Sequence, residues 1–166
     1  RRLKLISNSF PDSIVLIPFR HPLQHSNSLF FQHTKFIDES IKDPFIKEYM
    51  QLIGHTEFGP CYKELESINL KYDNPSELDH WLEQWLLSYH AIMEIAHEQR
   101  NIYLVCYESL CSDKSTWQNL KKLVDLDEKT NYQFKESIKQ IESSYDQALF
   151  DDCLDLYEKL RSNTRI

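Results

Sequence analysis

The sequence predicts a helix-rich α/β fold with a short parallel sheet, and three observations carry that reading. Only two glycines, Gly54 and Gly59, occur among 166 residues, while Leu, Glu, Lys and Gln are plentiful, so helix formers dominate. Two short runs break the helical pattern. Ser13-Ile14-Val15-Leu16-Ile17-Pro18-Phe19 and Asn101-Ile102-Tyr103-Leu104-Val105-Cys106-Tyr107 are continuous, β-branched and aromatic, without polar–apolar alternation. Such runs suit strands covered on both faces, as in a parallel sheet with helices above and below. Long helical segments lie between and after them, which is the order of an α/β domain.

The elements follow in turn. After the first strand, Pro22 is placed to open a helix. Asp43-Pro44 reads as an N-cap with Pro at the first helical position. Phe45, Tyr49, Leu52 and Ile53 then recur at helical spacing, and Gly54 sits where a left-handed C-terminal residue belongs. The next helix starts at Asn74-Pro75-Ser76-Glu77. Leu78, Leu82, Trp85, Leu86, Tyr89, Ile92, Met93 and Ala96 form one stripe along it. This helix, roughly 76–98, is expected to be the longest, with its aromatic stripe in the core. After the second strand, Ser115–Val124, Gln133–Tyr145 and Asp152–Leu160 read as amphipathic helices.

The length suits a single domain over 1–166. There is no internal repeat, low-complexity tract or Gly/Pro-rich linker. A net charge of −7 and the lack of any long basic run argue against general nucleic-acid binding, which draws on phosphate neutralisation. No apolar stretch approaches the length of a membrane-spanning helix, so no membrane partner is expected. Cys61, Cys106, Cys111 and Cys153 are widely spaced and contain no C-x-x-C pair. Free thiols in a reducing compartment, and so a cytoplasmic protein, are the plain reading. The chain opens Arg1-Arg2-Leu3-Lys4, without Met or an apolar signal core, and reads as part of a longer protein.

The segment from Phe10 to Leu29 is the most informative for chemistry. It reads as turn, buried strand, then helix. Ligands of open α/β sheets sit beyond the carboxyl ends of strands, where Arg20 falls. The first N–H groups of a helix opened by Pro22 point into the same space. Arginine offers a planar fork of donors suited to phosphate, and a hydroxyl one or two turns into the helix adds a further bond. A surface Arg capping the strand, with Ser28 as filler, is the plainer alternative.

This segment resembles the sulfotransferases that use 3′-phosphoadenosine 5′-phosphosulfate (PAPS). Their second cofactor signature is a strand ending in Arg, usually followed by x-Pro, with a Ser eight residues beyond the Arg; Arg20, His21-Pro22 and Ser28 keep that order and spacing. The resemblance implies that Arg20 and Ser28 grip the cofactor's 3′-phosphate. Phe10-Pro11-Asp12 before the strand is also typical. Leu104-Val105-Cys106-Tyr107-Glu108-Ser109-Leu110 is similar to the family's valine-x-tyrosine-glutamate-x-leucine segment, which makes Tyr107 a candidate for adenine contact. A core tyrosine is its bland alternative. The resemblance covers roughly residues 10–126 and implies part of the three-layer fold shared with P-loop nucleotide hydrolases.

The family's other signature, a Gly-rich basic loop for the 5′-phosphosulfate, does not occur in these residues, nor does its later Arg-Lys-Gly segment. The chain is therefore expected to be a carboxy-terminal portion of such an enzyme, incomplete at its amino end, or a degenerate relative. Gly54-His55-Thr56-Glu57-Phe58-Gly59 resembles a loop of some bacterial members, and is expected to join two helices over the acceptor cleft. It is not a P-loop, because Pro60-Cys61 stands where Lys-Ser or Lys-Thr is needed. His55 and Glu57 are the candidates for the base that takes the acceptor's proton, with a solvated loop as the alternative. No metal is expected: His21 and His25 share a helical spacing, but no third ligand accompanies them, and His-Glu-x-x-His is absent.

Two function classes follow. One is a sulfotransferase passing sulfonate from PAPS to a hydroxyl or amine of a small-molecule or glycan acceptor, leaving adenosine 3′,5′-bisphosphate. The other is an inactive sulfotransferase-like interaction module with an exposed apolar patch. An exposed sheet edge also leaves a homo-oligomer open.

Overall fold

A computed structural model describes residues 2–64, 70–127, 129–130, 132–136 and 139–166. The elements run α1 (Arg2–Ser9), β1 (Val15–Phe19), α2 (Pro22–Lys42), α3 (Pro44–Leu52), a 3₁₀ turn (Gly59–Cys61), α4 (Leu78–Glu98), β2 (Ile102–Cys106), α5 (Tyr107–Ser112), α6 (Lys114–Leu123) and α7 (Gln147–Ser162). The helix-rich α/β class is as expected. No described helix is long and apolar enough to cross a membrane. The chain divides into two compact units.

The first unit comprises Arg1–His21, Ser88–Lys139 and Leu154–Ile166. Its centre is a two-stranded parallel sheet in which Val15 pairs with Ile102 and Phe19 with Cys106. Both strands lie within the predicted runs. Ile102, Leu104, Val105 and Cys106 are buried. Phe19 is buried edge-on to Tyr89 and Tyr157, and the Tyr89 hydroxyl donates to the Pro18 carbonyl at 2.9 Å. That burial pushes the Tyr89 phenol up to about 12. The strand β1 is not covered on both faces as its composition implied. Val15, Ile17 and Phe19 turn inward, whereas Leu16 and Pro18 are exposed. Apolar composition marks a strand but cannot say whether a neighbour covers its second face. Leu5, Ile6, Phe10 and Ile14 of the same unit are exposed as well.

Helix α1 was not read from the sequence. Tertiary hydrogen bonds hold it: the buried Ser7 hydroxyl donates to Gln99 Oε1 and Asn101 Oδ1. Asn101 returns its amide to the Phe10 carbonyl at 3.1 Å. Asp113 caps α6 by accepting from the Ser115 hydroxyl at 2.6 Å and from Ser115 N at 2.8 Å, and these bonds hold its carboxyl below the usual carboxylate range.

The helix expected over Gln133–Tyr145 does not form; the described residues of this stretch are irregular. Phe134 instead packs edge-on against Trp117 and Tyr132. The Lys135 carbonyl, which a helix would use four residues on, accepts from the Tyr107 hydroxyl at 2.9 Å. Aromatic packing and this bond outweigh the weak helical periodicity.

The second unit comprises Pro22–Leu87 and Gln140–Cys153. Its core holds Leu78, Trp81, Leu82, Trp85 and Cys153. Of the expected α4 stripe, Leu78, Leu82 and Trp85 are buried here and Tyr89 and Ala96 in the first unit, while Leu86, Ile92 and Met93 are half-buried. At 21 residues α4 is matched by α2, so it is not alone the longest. Ser26 is buried and donates to the Trp81 carbonyl at 3.1 Å. The Asp43 cap of α3 is present, with its carboxylate accepting from Phe45 N at 3.0 Å, and Gly54 adopts the expected positive φ of 69°. The helix turns Met50 inward, while Phe45, Tyr49, Leu52 and Ile53 are exposed. Asp146 caps α7 through Ala148 N at 2.8 Å and accepts from the Tyr72 hydroxyl.

Candidate functional site

Parallel pairing in register brings the carboxyl ends of β1 and β2 side by side. Each strand is followed at once by polar residues: Arg20 and His21 after β1, Tyr107 and Glu108 after β2. The guanidinium of Arg20 lies over the Tyr107 ring, 5.7 Å from its centroid. Arg20 Nε is 3.9 Å from Glu108 Oε1, which also accepts from the His21 backbone N–H at 3.0 Å. The other carboxylate oxygen, Glu108 Oε2, accepts from the Tyr157 hydroxyl at 3.0 Å and from the Cys106 thiol at 3.5 Å. The side chains of Arg20 and Glu108 are each about three-quarters covered.

The electrostatics follow from this arrangement. Burial lowers the His21 pKa against the opposing pull of Glu108, and Arg20 lowers it further. Burial raises Tyr157, reinforced by Cys106 and Glu108, so its hydroxyl stays protonated as a donor. Beside this cluster Tyr107 packs edge-on against Phe134, with ring centroids 6.3 Å apart. Phe134, Trp117, Tyr132, Cys111 and Lys114 line an open cavity of about 570 Å³. A cation, a planar aromatic face and an adjoining aromatic hollow can together take an anion joined to a flat heterocycle.

Of the residues singled out from the sequence, the structure brings Arg20 and Tyr107 together in the first unit. Ser28, His55 and Glu57 belong to the second. Ser28 lies half-buried on α2. His55 Nδ1 is 3.3 Å from Glu57 Oε2, and the same oxygen accepts from Thr56 N at 2.9 Å. The His55 ring packs against Phe36 and Phe58. The Glu57 carboxylate is thus engaged within its own loop.

That loop joins α3 to the 3₁₀ turn. Gly59 N–H donates to Nδ1 of the buried His33 at 3.2 Å, and Lys63 N–H donates to the Thr56 carbonyl at 2.8 Å. His33, Tyr62, His80 and Trp81 form an aromatic cluster behind it, with Tyr62 Oη 2.7 Å from His80 Nε2. Desolvation pushes the Tyr62 phenol up to about 12.

Sequence reasoning gave Glu108 and Phe134 no role in a site. An acidic residue just past a strand end was the available sign for Glu108. Nothing local distinguishes Phe134. No family model matches the chain, and no curated protein or solved structure matches it.

Proposed function

We propose that this chain is the 3′-phosphate-binding portion of a PAPS-dependent sulfotransferase of the P-loop-like fold class, transferring sulfonate to a hydroxyl or amine of a small-molecule or glycan acceptor. The observation that carries the reading is the placement of Arg20 at the joined ends of two parallel strands, over the ring of Tyr107. The donor set fits the cofactor's nucleotide end: the guanidinium matches a phosphate, and Tyr107 with the hollow beside Phe134 matches a purine. Bound PAPS would supply an activated sulfonate for transfer to the acceptor, with adenosine 3′,5′-bisphosphate as the leaving group, and Arg20 and Tyr107 would hold its nucleotide end. On this reading Arg20 binds and orients the 3′-phosphate and Tyr107 contacts the adenine. These residues position the nucleotide and move no proton. His55 and Glu57 remain the chain's own candidates for the acceptor's base.

Calorimetric titration of adenosine 3′,5′-bisphosphate into the full chain tests this. Micromolar binding is expected. Arg20→Ala removes a charge-assisted pair of about 1.5–3 kcal/mol, so affinity falls roughly 10–100-fold. 5′-AMP binds Arg20→Ala and the parent alike. A folded parent that takes up no bisphosphate at millimolar concentration overturns the proposal. The second reading, an inactive interaction module, draws on the exposed Leu5, Ile6, Phe10, Ile14 and Leu16 of the first unit. It predicts concentration-dependent self-association or partner capture in the absence of nucleotide binding.

A further inference from the structure

We infer that Glu108 is a positioning residue that sets the β1–α2 turn so that Arg20 meets the 3′-phosphate; this rests on the nucleotide-binding reading above. A carboxylate is an unexpected neighbour for an anion site. Its charge repels an incoming phosphate and draws the guanidinium toward itself. Its hydrogen bonds point to a different use. Oε1 accepts from the His21 backbone N–H at 3.0 Å, fixing the peptide immediately after Arg20. Its distance to Arg20 Nε is 3.9 Å, longer than a hydrogen bond, so the backbone contact is the tighter of the two. Oε2 is held by the Tyr157 hydroxyl at 3.0 Å and the Cys106 thiol at 3.5 Å. One carboxylate therefore ties His21, two residues past β1, to Cys106 at the end of β2 and to Tyr157, all three within the first unit. The arrangement orders the turn before any ligand arrives, which lowers the entropic cost of binding.

The two possible roles differ in sign. A carboxylate that merely lies near the site weakens anion binding, so removing it strengthens binding. A carboxylate that positions Arg20 has the opposite effect when its oxygen is removed. The test titrates adenosine 3′,5′-bisphosphate and 5′-AMP into the full-chain parent, Glu108→Gln and Glu108→Ala. Gln keeps an acceptor for the His21 N–H and drops the charge, so bisphosphate affinity should stay within about threefold or tighten. Ala loses the acceptor, and bisphosphate affinity should fall tenfold or more while 5′-AMP affinity is unchanged. Ala binding the bisphosphate as tightly as the parent, or tighter, overturns the inference, as does an equal loss for both nucleotides. If Glu108→Ala does not fold, Tyr157→Phe decides. Loosening Oε2 should then cost roughly threefold for the bisphosphate alone, and unchanged affinity overturns the inference. A parent that binds no bisphosphate instead refutes the underlying nucleotide reading, so the two failures are distinct.

Discussion

Gly59→Ala is expected to destabilise the protein by about 2–4 kcal/mol, lowering Tm by roughly 5–15 °C for a chain of this size. Two costs combine. Gly59 has φ of 76°, a left-handed conformation that costs an L side chain about 1–2 kcal/mol. An added Cβ would also lie 2.9 Å from Phe36 Cβ and 3.7 Å from the Phe36 carbonyl carbon, so the turn must lift off α2. Gly54 is the internal control. Its φ is 69°, yet a Cβ there meets nothing within 4 Å, so Gly54→Ala should cost only the backbone strain of about 1–2 kcal/mol. Urea denaturation of the two variants measures the difference directly. Phe36→Ala should not rescue Gly59→Ala, because alanine keeps the Cβ that is met. Equal stability of the two glycine variants would show that the contact with α2 yields freely.

The second large effect is acid destabilisation through His33. Its Nδ1 accepts the Gly59 N–H at 3.2 Å and must therefore be unprotonated. Burial lowers its pKa from the ordinary 6.5, and His80 adds to the lowering. Facing it are Tyr62 from the loop and His80 and Trp81 from α4, with no carboxylate in ring contact among the described residues. The sign follows from linkage. Below pH 6.5 the unfolded chain takes up a proton that folded His33 resists, so stability is full above that value and is lost as pH falls through the depressed folded pKa. Protonation turns an acceptor into a donor facing another N–H, a cost of about 1–3 kcal/mol. Tm should fall on the order of 5 °C between about pH 7.5 and pH 5. His21 shares the direction, so it contributes to the same slope. His33→Asn keeps an acceptor oxygen but cannot titrate. It should start less stable, having lost the ring contacts, and show a shallower dependence on pH. A slope as steep as the parent's would assign the acid response elsewhere.

These outcomes bear on what could be read from the sequence. Asp43-Pro44, the α4 stripe and the two β-branched runs each announce themselves within a few neighbouring residues, and each forms. Local rules decide such features, through capping, periodicity and branching at Cβ. The Arg20–Tyr107 pairing was legible only as two separate strand ends. Their meeting depends on the register that joins Phe19 to Cys106. Glu108 escaped assignment because two of its partners, His21 and Tyr157, lie 87 and 49 residues away in the chain, although Cys106 is close by. The stretch 133–145 misled because Phe134 and Ile141 fit a helical spacing while Trp117 and Tyr107 drew Phe134 and the Lys135 carbonyl elsewhere. Exposure of Leu16 was equally hidden, since hydrophobicity specifies what a side chain favours and not what lies opposite it.

The pairing of β1 with β2 also sets the order of events during synthesis. Val15 leaves the ribosome long before Ile102, and all of residues 22–87 must be made between them. The first unit is discontinuous, and its last piece, Leu154–Ile166, supplies Tyr157 and Leu160 to its core. Contacts of such large sequence separation are closed late, because loop entropy must be met before they give any return. The second unit's stretch from Pro22 to Leu87 emerges whole while β1 still lacks a partner. In that interval the edge of β1, with Leu16 exposed beside it, is open to pairing with other nascent chains, and Pro18 limits how far such a mispaired strand could extend.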